Sequence, residues 1–268
     1  KHRILILNTL SSEERNALKD SVSKLMSDAS TEAEVRRVME TAQGFDLDLW
    51  RALSEMGVIG LITDEKFGGS GVGPMELEAV MEETGAALLC SPLLASGVIA
   101  AELLQALGDE TLNADLMPRV ATGETIASAV ITGDRGCWTE SGVDISATAL
   151  EGGWQLEGRG NYVLHAQNAD VLIVIANTES GLAAYAVDPS DDAVQIEALP
   201  TLDRTLRIAS VRFSGASAKQ INATRPVWEA VSQALNLALV ALAGEQAGGA
   251  KKVLDFTVEY AKTRIQFG

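Results

Sequence analysis

Pattern changes along these 268 residues predict an α+β fold in three regions. They are an N-terminal helical domain, a middle antiparallel β-barrel or sandwich, and the start of a C-terminal helical bundle. Three observations carry this. Residues 11 to about 124 keep apolar side chains at helical spacing. Residues 126 to about 215 break into seven or eight short runs rich in β-branched and aromatic residues, parted by turn residues. Residues 227–267 return to a helical face. The expected boundaries are 1–124, 125–222 and 223–268.

The first helix opens at "SSEERNALKDSVSKLM", where Ser11 and Glu14 have capping-box spacing and Ala17, Leu18, Val22 and Leu25 share a face. A second, "FDLDLWRALSEMGVIGL", carries Trp50, Leu53 and Met56. The loop "TDEKFGGSGVGP" follows, and Pro74 suits the first position of the next helix. Further helices are expected from Pro92 to Leu107 and over 109–120. In the middle region "IASAVIT", "VDISATA", "WQLEG", "NYVLHA", "VLIVIANT", "LAAYAVD", "VQIEAL" and "LRIASVRF" read as strands without βαβ alternation, which favours an antiparallel barrel or sandwich. In the last region Val227, Ala230, Ala234, Ala238, Val253 and Leu254 keep one face. The glycines near 244–249 predict a kink or a close helix contact, because each costs about 1 kcal/mol against Ala. One or two helices cannot close a core, so this region needs partners from further residues or another chain.

The apolar content of 47% is enough to bury a substantial core. The net charge of −16 argues against nucleic acid and anionic membrane surfaces as partners. An anionic ligand must then be held by a local basic spot, since salt screens charge beyond about 8–10 Å. Cys90 and Cys137 lack metal spacing and read as free thiols of a cytoplasmic protein. Residues 4–7, "ILIL", are too short for the apolar core of a signal peptide. The uncharged stretch 230–244 falls short of the ~20 residues of a membrane span.

Several chemistries lack their residues. The glycine loop 68–73 has neither the Lys-Ser/Thr of a P-loop nor G-x-G-x-x-G spacing, and it follows a helix, so it reads as a tight turn. Two histidines, His2 and His165, cannot build a histidine-rich metal site. No G-x-S-x-G elbow occurs. Difficult chemistry would need a bound cofactor.

Segments in order resemble the acyl-CoA dehydrogenase family across most of the chain. The segments that carry it are "LWRALSEMGVIGLITDEKFGGSGVG", "LMPRVATGE", "LEGRGNYVLHAQNADVLIVIA" and "VEYAKTRIQFG", the most specific of them. The resemblance implies a helical domain, a β domain and a four-helix bundle, with FAD between them. It also implies a homo- or hetero-tetramer, an acyl-CoA substrate, and an electron acceptor such as an electron-transfer flavoprotein. A family member continues past the position of Gly268 to complete the bundle.

By the same resemblance, Arg264, Gln266 and Phe267 match positions that touch FAD bound mainly by a neighbouring subunit. A guanidinium suits a pyrophosphate and an aromatic ring suits the cofactor face. Read without it, they are a helix-end arginine and a core phenylalanine. Tyr162 falls where the family stacks an aromatic on the flavin; alone it reads as an aromatic of the β core. Thr132 falls where a threonine or its backbone amide meets the flavin. The sequence departs from the family at "TGDRGCW" and at Leu164, which stands where a threonine is usual. Each change removes a flavin hydrogen bond, at a cost of about 1–3 kcal/mol.

The family's base is a glutamate, either late in the bundle or seven residues before a glycine. Counting seven back from Gly244 gives Leu237, which cannot take a proton. Glu245 lies about two turns further along the same predicted helix and reads as a structural or rim carboxylate. No catalytic residue is assigned. The leading expectation is FAD-dependent α,β-dehydrogenation of an acyl-CoA thioester. The alternatives are a non-catalytic partner subunit of a heteromeric acyl-CoA dehydrogenase, of the kind assembled by some actinobacteria, and a flavin oxidase or monooxygenase relative.

Overall fold

The computed structural model describes residues 9–266; His2, the "ILIL" segment and Phe267 lie outside them. Six α-helices and a π-helix come first: α1 (Ser12–Ala29), α2 (Glu32–Met39), α3 (Leu47–Glu55), α4 (Pro74–Ala86), the π-helix Leu93–Ala100, α5 (Ala101–Leu107) and α6 (Glu110–Ala121). The caps follow the sequence. Glu14 N donates to Ser11 Oγ and Ser11 N to Glu14 Oε2, closing the box at α1. Pro74 opens α4, where a missing N–H costs nothing. The expected helix from Pro92 to Leu107 forms, but its first turns are wound wider than an α-helix. Helix α2 was not singled out by periodicity.

Seven strands follow among the described residues: β1 (Ala127–Val130), β2 (Ser146–Leu150), β3 (Gly153–Leu164), β4 (Val171–Thr178), β5 (Gly181–Val187), β6 (Val194–Ala198) and β7 (Ile208–Ile221). The runs "WQLEG" and "NYVLHA" are one strand, β3, continuous through Gly158 and Gly160 and irregular where it pairs with β7. Pairings β4–β2–β3–β7–β5–β4 close a ring, which removes free edges. The antiparallel expectation is corrected at two places: β1 runs parallel to β4, because the chain crosses back through the β2–β3 hairpin before β4, and β2 meets β4 in parallel at Ser146 and Asn177.

β4 explains how the two layers join. Leu172, Val174 and Ala176 face the barrel interior with Leu156, Tyr185 and Phe213, while Ile173 and Ile175 join the helical core with Leu103, Leu107 and Met117. Both faces are covered, so its sequence is a continuous apolar run instead of an alternation.

The chain ends in one helix, α7 (Val227–Thr263). The glycines at 244–249 do not break it. They are the contact with α4: a Cβ on Gly244 would lie 2.7 Å from Glu78 O, and one on Gly248 closer still to Glu82 O. Helix α7 is long and apolar enough to cross a membrane by length and composition, but its first half is packed in the helical core by Val231, Ala234 and Ala238. Residues 250–266 are exposed throughout.

Candidate functional site

The glycine loop 68–73 spends its amide groups on its own turn. Ser70 N donates to Gly60 O, Gly71 N to Thr63 O and Val72 N to Leu61 O. Gly68 and Gly71 take positive φ of 83° and 61°, which glycine allows. The loop offers no cradle for a phosphate. Among the described residues no cluster of three or more His, Cys, Asp or Glu side chains could hold a metal ion.

Thr132 follows β1, is 2% exposed, and has its hydroxyl and carbonyl engaged by its own chain. Its hydroxyl donates to Cys137 O at 2.8 Å, and its carbonyl accepts from Asn161 N at 2.8 Å. The loop 133–142 is braced around it. Gly133 N donates to Gly142 O, Asp134 N to Asp144 Oδ2, and Asn161 Nδ2 to Asp134 Oδ1. Tyr162 stands beside this loop. Its φ is 58°, a conformation costly for an aromatic residue, and it lies where the β3–β7 register shifts between Gly160 and Val163. The ring is not packed in the β core, as the sequence alone suggested; it is 45% exposed. Gly136, at φ 61°, comes so near that a Cβ there would sit 3.0 Å from Tyr162 Cε2. Leu164, two residues on, packs against the helical core and presents no polar group.

Arg264 and Gln266 lie beyond the end of α7 and touch neither Thr132 nor Tyr162. Arg264 donates through Nη1 to the Tyr260 hydroxyl, and its guanidinium lies 5.3 Å from that ring's centre. With its amide oxygen turned toward the guanidinium, Gln266 accepts from Arg264 Nη2 and Nε at 2.5 and 3.1 Å. These partners are neutral.

The predicted site residues therefore fall into two separate groups, and they fit FAD unequally. The helix end, with an exposed uncompensated arginine, suits a cofactor phosphate. The β-domain half keeps an exposed aromatic ring, but the side-chain donor expected at Thr132 is consumed and the one expected at 164 is absent.

Leu237 is half-buried and packs on the helical core, without acid–base chemistry. Glu245 is half-buried. It borders a cavity of about 50 Å³ between α4, the start of the π-helix, α7 and the segment before β7. Its carboxyl has no hydrogen-bond or ion-pair partner among the described residues. Burial pushes its pKa above the usual carboxylate value, and Asp203 adds to the rise. A second carboxyl, Glu102, is raised by burial while accepting from Gln233 Nε2 at 2.5 Å. Gln233 borders a wider cleft of about 450 Å³ at the start of α7, with Trp228, Asn236 and Glu140. The walls of the smaller cavity come from segments far apart in the chain, whereas those of the wider cleft come mostly from residues 226–236.

Comparison with known proteins agrees with this architecture. The family model for the acyl-CoA dehydrogenase N-terminal domain matches residues 12–124. The chain is 31% identical over 259 residues to acyl-CoA dehydrogenase IpdE2 of Mycolicibacterium smegmatis, covering 96% of this chain and 67% of the relative. It is 30% identical over 257 residues to IpdE2 of Mycobacterium tuberculosis, covering 96% and 66%. The crystal structure of the ChsE4–ChsE5 complex from Mycobacterium tuberculosis contains a similar chain: TM-score 0.85, 27% identity, 96% of this chain and 69% of that one. The chain thus belongs to the acyl-CoA dehydrogenase family, and it spans about two thirds of the length of these relatives.

Proposed function

We propose that this chain is a subunit of an FAD-dependent dehydrogenase that removes hydrogen from the α and β carbons of an acyl-CoA thioester. Membership of the family carries the reaction class. FAD would supply the hydride acceptor, and an electron-transfer flavoprotein is a suitable next carrier. The chain's own contribution is the helix end, where Arg264 and Gln266 would bind an anionic part of the cofactor held by a neighbouring subunit.

A second reading is favoured by one observation: Thr132 is closed off inside its own loop. In that reading the chain is the non-catalytic partner in a heteromer, with FAD held by a sister chain. Leu164 and Leu237, which stand where polar and acidic groups are expected, support it, as does the likeness to a chain from a complex of two differently named proteins.

The visible absorption spectrum of the full-length chain, expressed alone, separates the two readings. A stoichiometric flavin band supports a self-sufficient dehydrogenase. A colourless protein that gains flavin only with a sister subunit supports the partner role. Failure to take up flavin in either state would overturn both.

A further inference from the structure

One row of residues crosses three strands of the β domain. Arg159 of β3 stands directly opposite Arg212 of β7, and Arg212 stands opposite Gln195 of β6. Residues paired in register share a face, so the two guanidinium groups are neighbours, and like charges set opposite each other weaken a sheet. The chain does not cancel this pair. Arg159 Nε donates to Ser210 Oγ at 2.6 Å and reaches Asp134 Oδ1 only at 3.8 Å. Arg212 is exposed and has no hydrogen bond or ion pair among the described residues. Glu157 and Glu197 lie one row away on the same face, yet among the described residues neither closes an ion pair with an arginine. Other cations are spent on nearby carboxylates: Arg36 on Glu32, Arg51 on Asp48, Lys66 on Glu110. In a chain with 21 basic and 37 acidic residues, two facing cations left uncompensated call for an anion from outside.

The row adjoins an exposed indole. Asp134, which Arg159 approaches, accepts from Asn161 Nδ2 and lies in the loop that passes Tyr162 at Gly136. Trp138 is carried by the same loop. Away from the end of α7, Trp138 and Tyr162 are the exposed aromatic rings among the described residues. The loop is braced by the hydrogen bonds given above, so little freedom is lost when Trp138 is covered. Arginine and tryptophan are the residue types that dominate protein contacts. Arg159, Arg212 and Trp138 border neither the clefts at Gln233 and Glu245 nor one of about 390 Å³ between Thr41 and Arg207. Small molecules are ordinarily held in concave sites, so this face suits a protein.

We infer that Arg159, Arg212 and Trp138 dock a partner protein through a segment that is acidic and carries an apolar side chain. A carboxylate of the segment bridges the two arginines, and its apolar side chain covers the indole. The inference goes beyond the reaction proposed above and does not depend on which chain holds the flavin.

The test is fluorescence anisotropy with the full-length protein, assembled with its flavin-bearing partner if it has one. The probes are labelled peptides of about ten residues, all Asp and Glu except for a central Phe or Ser. The Phe peptide should bind at low salt and lose affinity as salt is raised. Arg212→Glu should weaken binding about tenfold or more. Lys24→Glu, which changes the net charge equally from α1, should change it by less than about twofold. The Phe peptide should bind more tightly than the Ser peptide, and Trp138→Ser should erase the difference. Arg212→Gln should leave the denaturant midpoint of the unbound protein unchanged or raised, because it relieves a like-charge pair. A lowered midpoint would assign Arg212 to the fold and overturn the inference. Equal losses in Arg212→Glu and Lys24→Glu would reduce the effect to net charge and overturn it as well. So would equal affinity for the two peptides, or failure of both to bind.

Discussion

His165 joins backbone strain, burial and charge in a single residue. Its φ of 51° is left-handed, its ring is 0% exposed, and Phe45 meets it edge-on at 6.4 Å. Asn168 Nδ2 donates to the Gln43 carbonyl and lies 3.1 Å from His165 Nδ1. The neutral ring therefore carries its proton on Nε2, and its interaction with the Ser91 backbone only partly offsets its burial. Burial, reinforced by the nearby Arg207 guanidinium, pushes the pKa from 6.5 down to about 4. The unfolded chain then binds more protons than the native one between those values. The contribution to stability is full above pH 6.5 and is lost as pH falls toward 4, amounting to about 3 kcal/mol. Urea unfolding at pH 7 and pH 5 should show a marked loss at the lower value. His165→Asn keeps a residue that tolerates the left-handed backbone. It should lower stability at pH 7 and shrink the difference between the two pH values. An unchanged difference would place the acid sensitivity in other groups.

At the scale of elements, the α4–α7 crossing decides how the helical half is built. A Cβ on Gly248 would approach Glu82 O to 1.8 Å, and backbone cannot yield there as a flexible side chain can. Gly248→Ala should cost about 1–3 kcal/mol or more by overpacking. Its neighbour gives the opposite result: a Cβ on Gly249 would meet only Gly85 O, at 3.8 Å, so Gly249→Ala should gain up to about 1 kcal/mol from helix propensity. Denaturant midpoints of the two variants should move in opposite directions. This crossing also shows what the sequence could convey. Kink and close contact were equally open readings of 244–249, because choosing between them requires the facing helix. The caps at Ser11 and Pro74 were legible because both partners lie within a few residues. Strand β3 read as two strands because Gly158 and Gly160 interrupt its pattern, while its pairing with β7 restores continuity. The sequence offered Thr132, Tyr162 and Arg264 as candidate positions. Whether Thr132 is available depends on how loop 133–142 folds, and the surroundings of Glu245 depend on Leu89, Ser91 and Leu206, distant in sequence.

Over the whole molecule, the closed β ring and the packed helices share one core through β4, and α7 joins it only as far as Gly248. Beyond that point Val253, Leu254, Phe256 and Ile265 are all exposed, and the side chains of the last turns pair with one another: Lys251 with Asp255, Lys262 with Glu259, Arg264 with Tyr260. Exposed ion pairs of this kind add little, typically under about 1 kcal/mol each. Stability of the body and assembly should therefore separate cleanly. A chain ending at Gly249 should unfold at the same denaturant midpoint as the 268-residue sequence, within about 0.5 kcal/mol. The exposed apolar residues of the helix end are open to partners from further residues or from another chain, and the shortened chain should lose any flavin held across a subunit contact. Arg264→Ala in the intact sequence should weaken flavin retention without changing either the midpoint or the sedimentation, because the guanidinium has no partner in the body to lose. A shortened chain that unfolds several kcal/mol more easily would mean that the helix end packs on its own subunit, and the shared-cofactor reading would then lose its structural support.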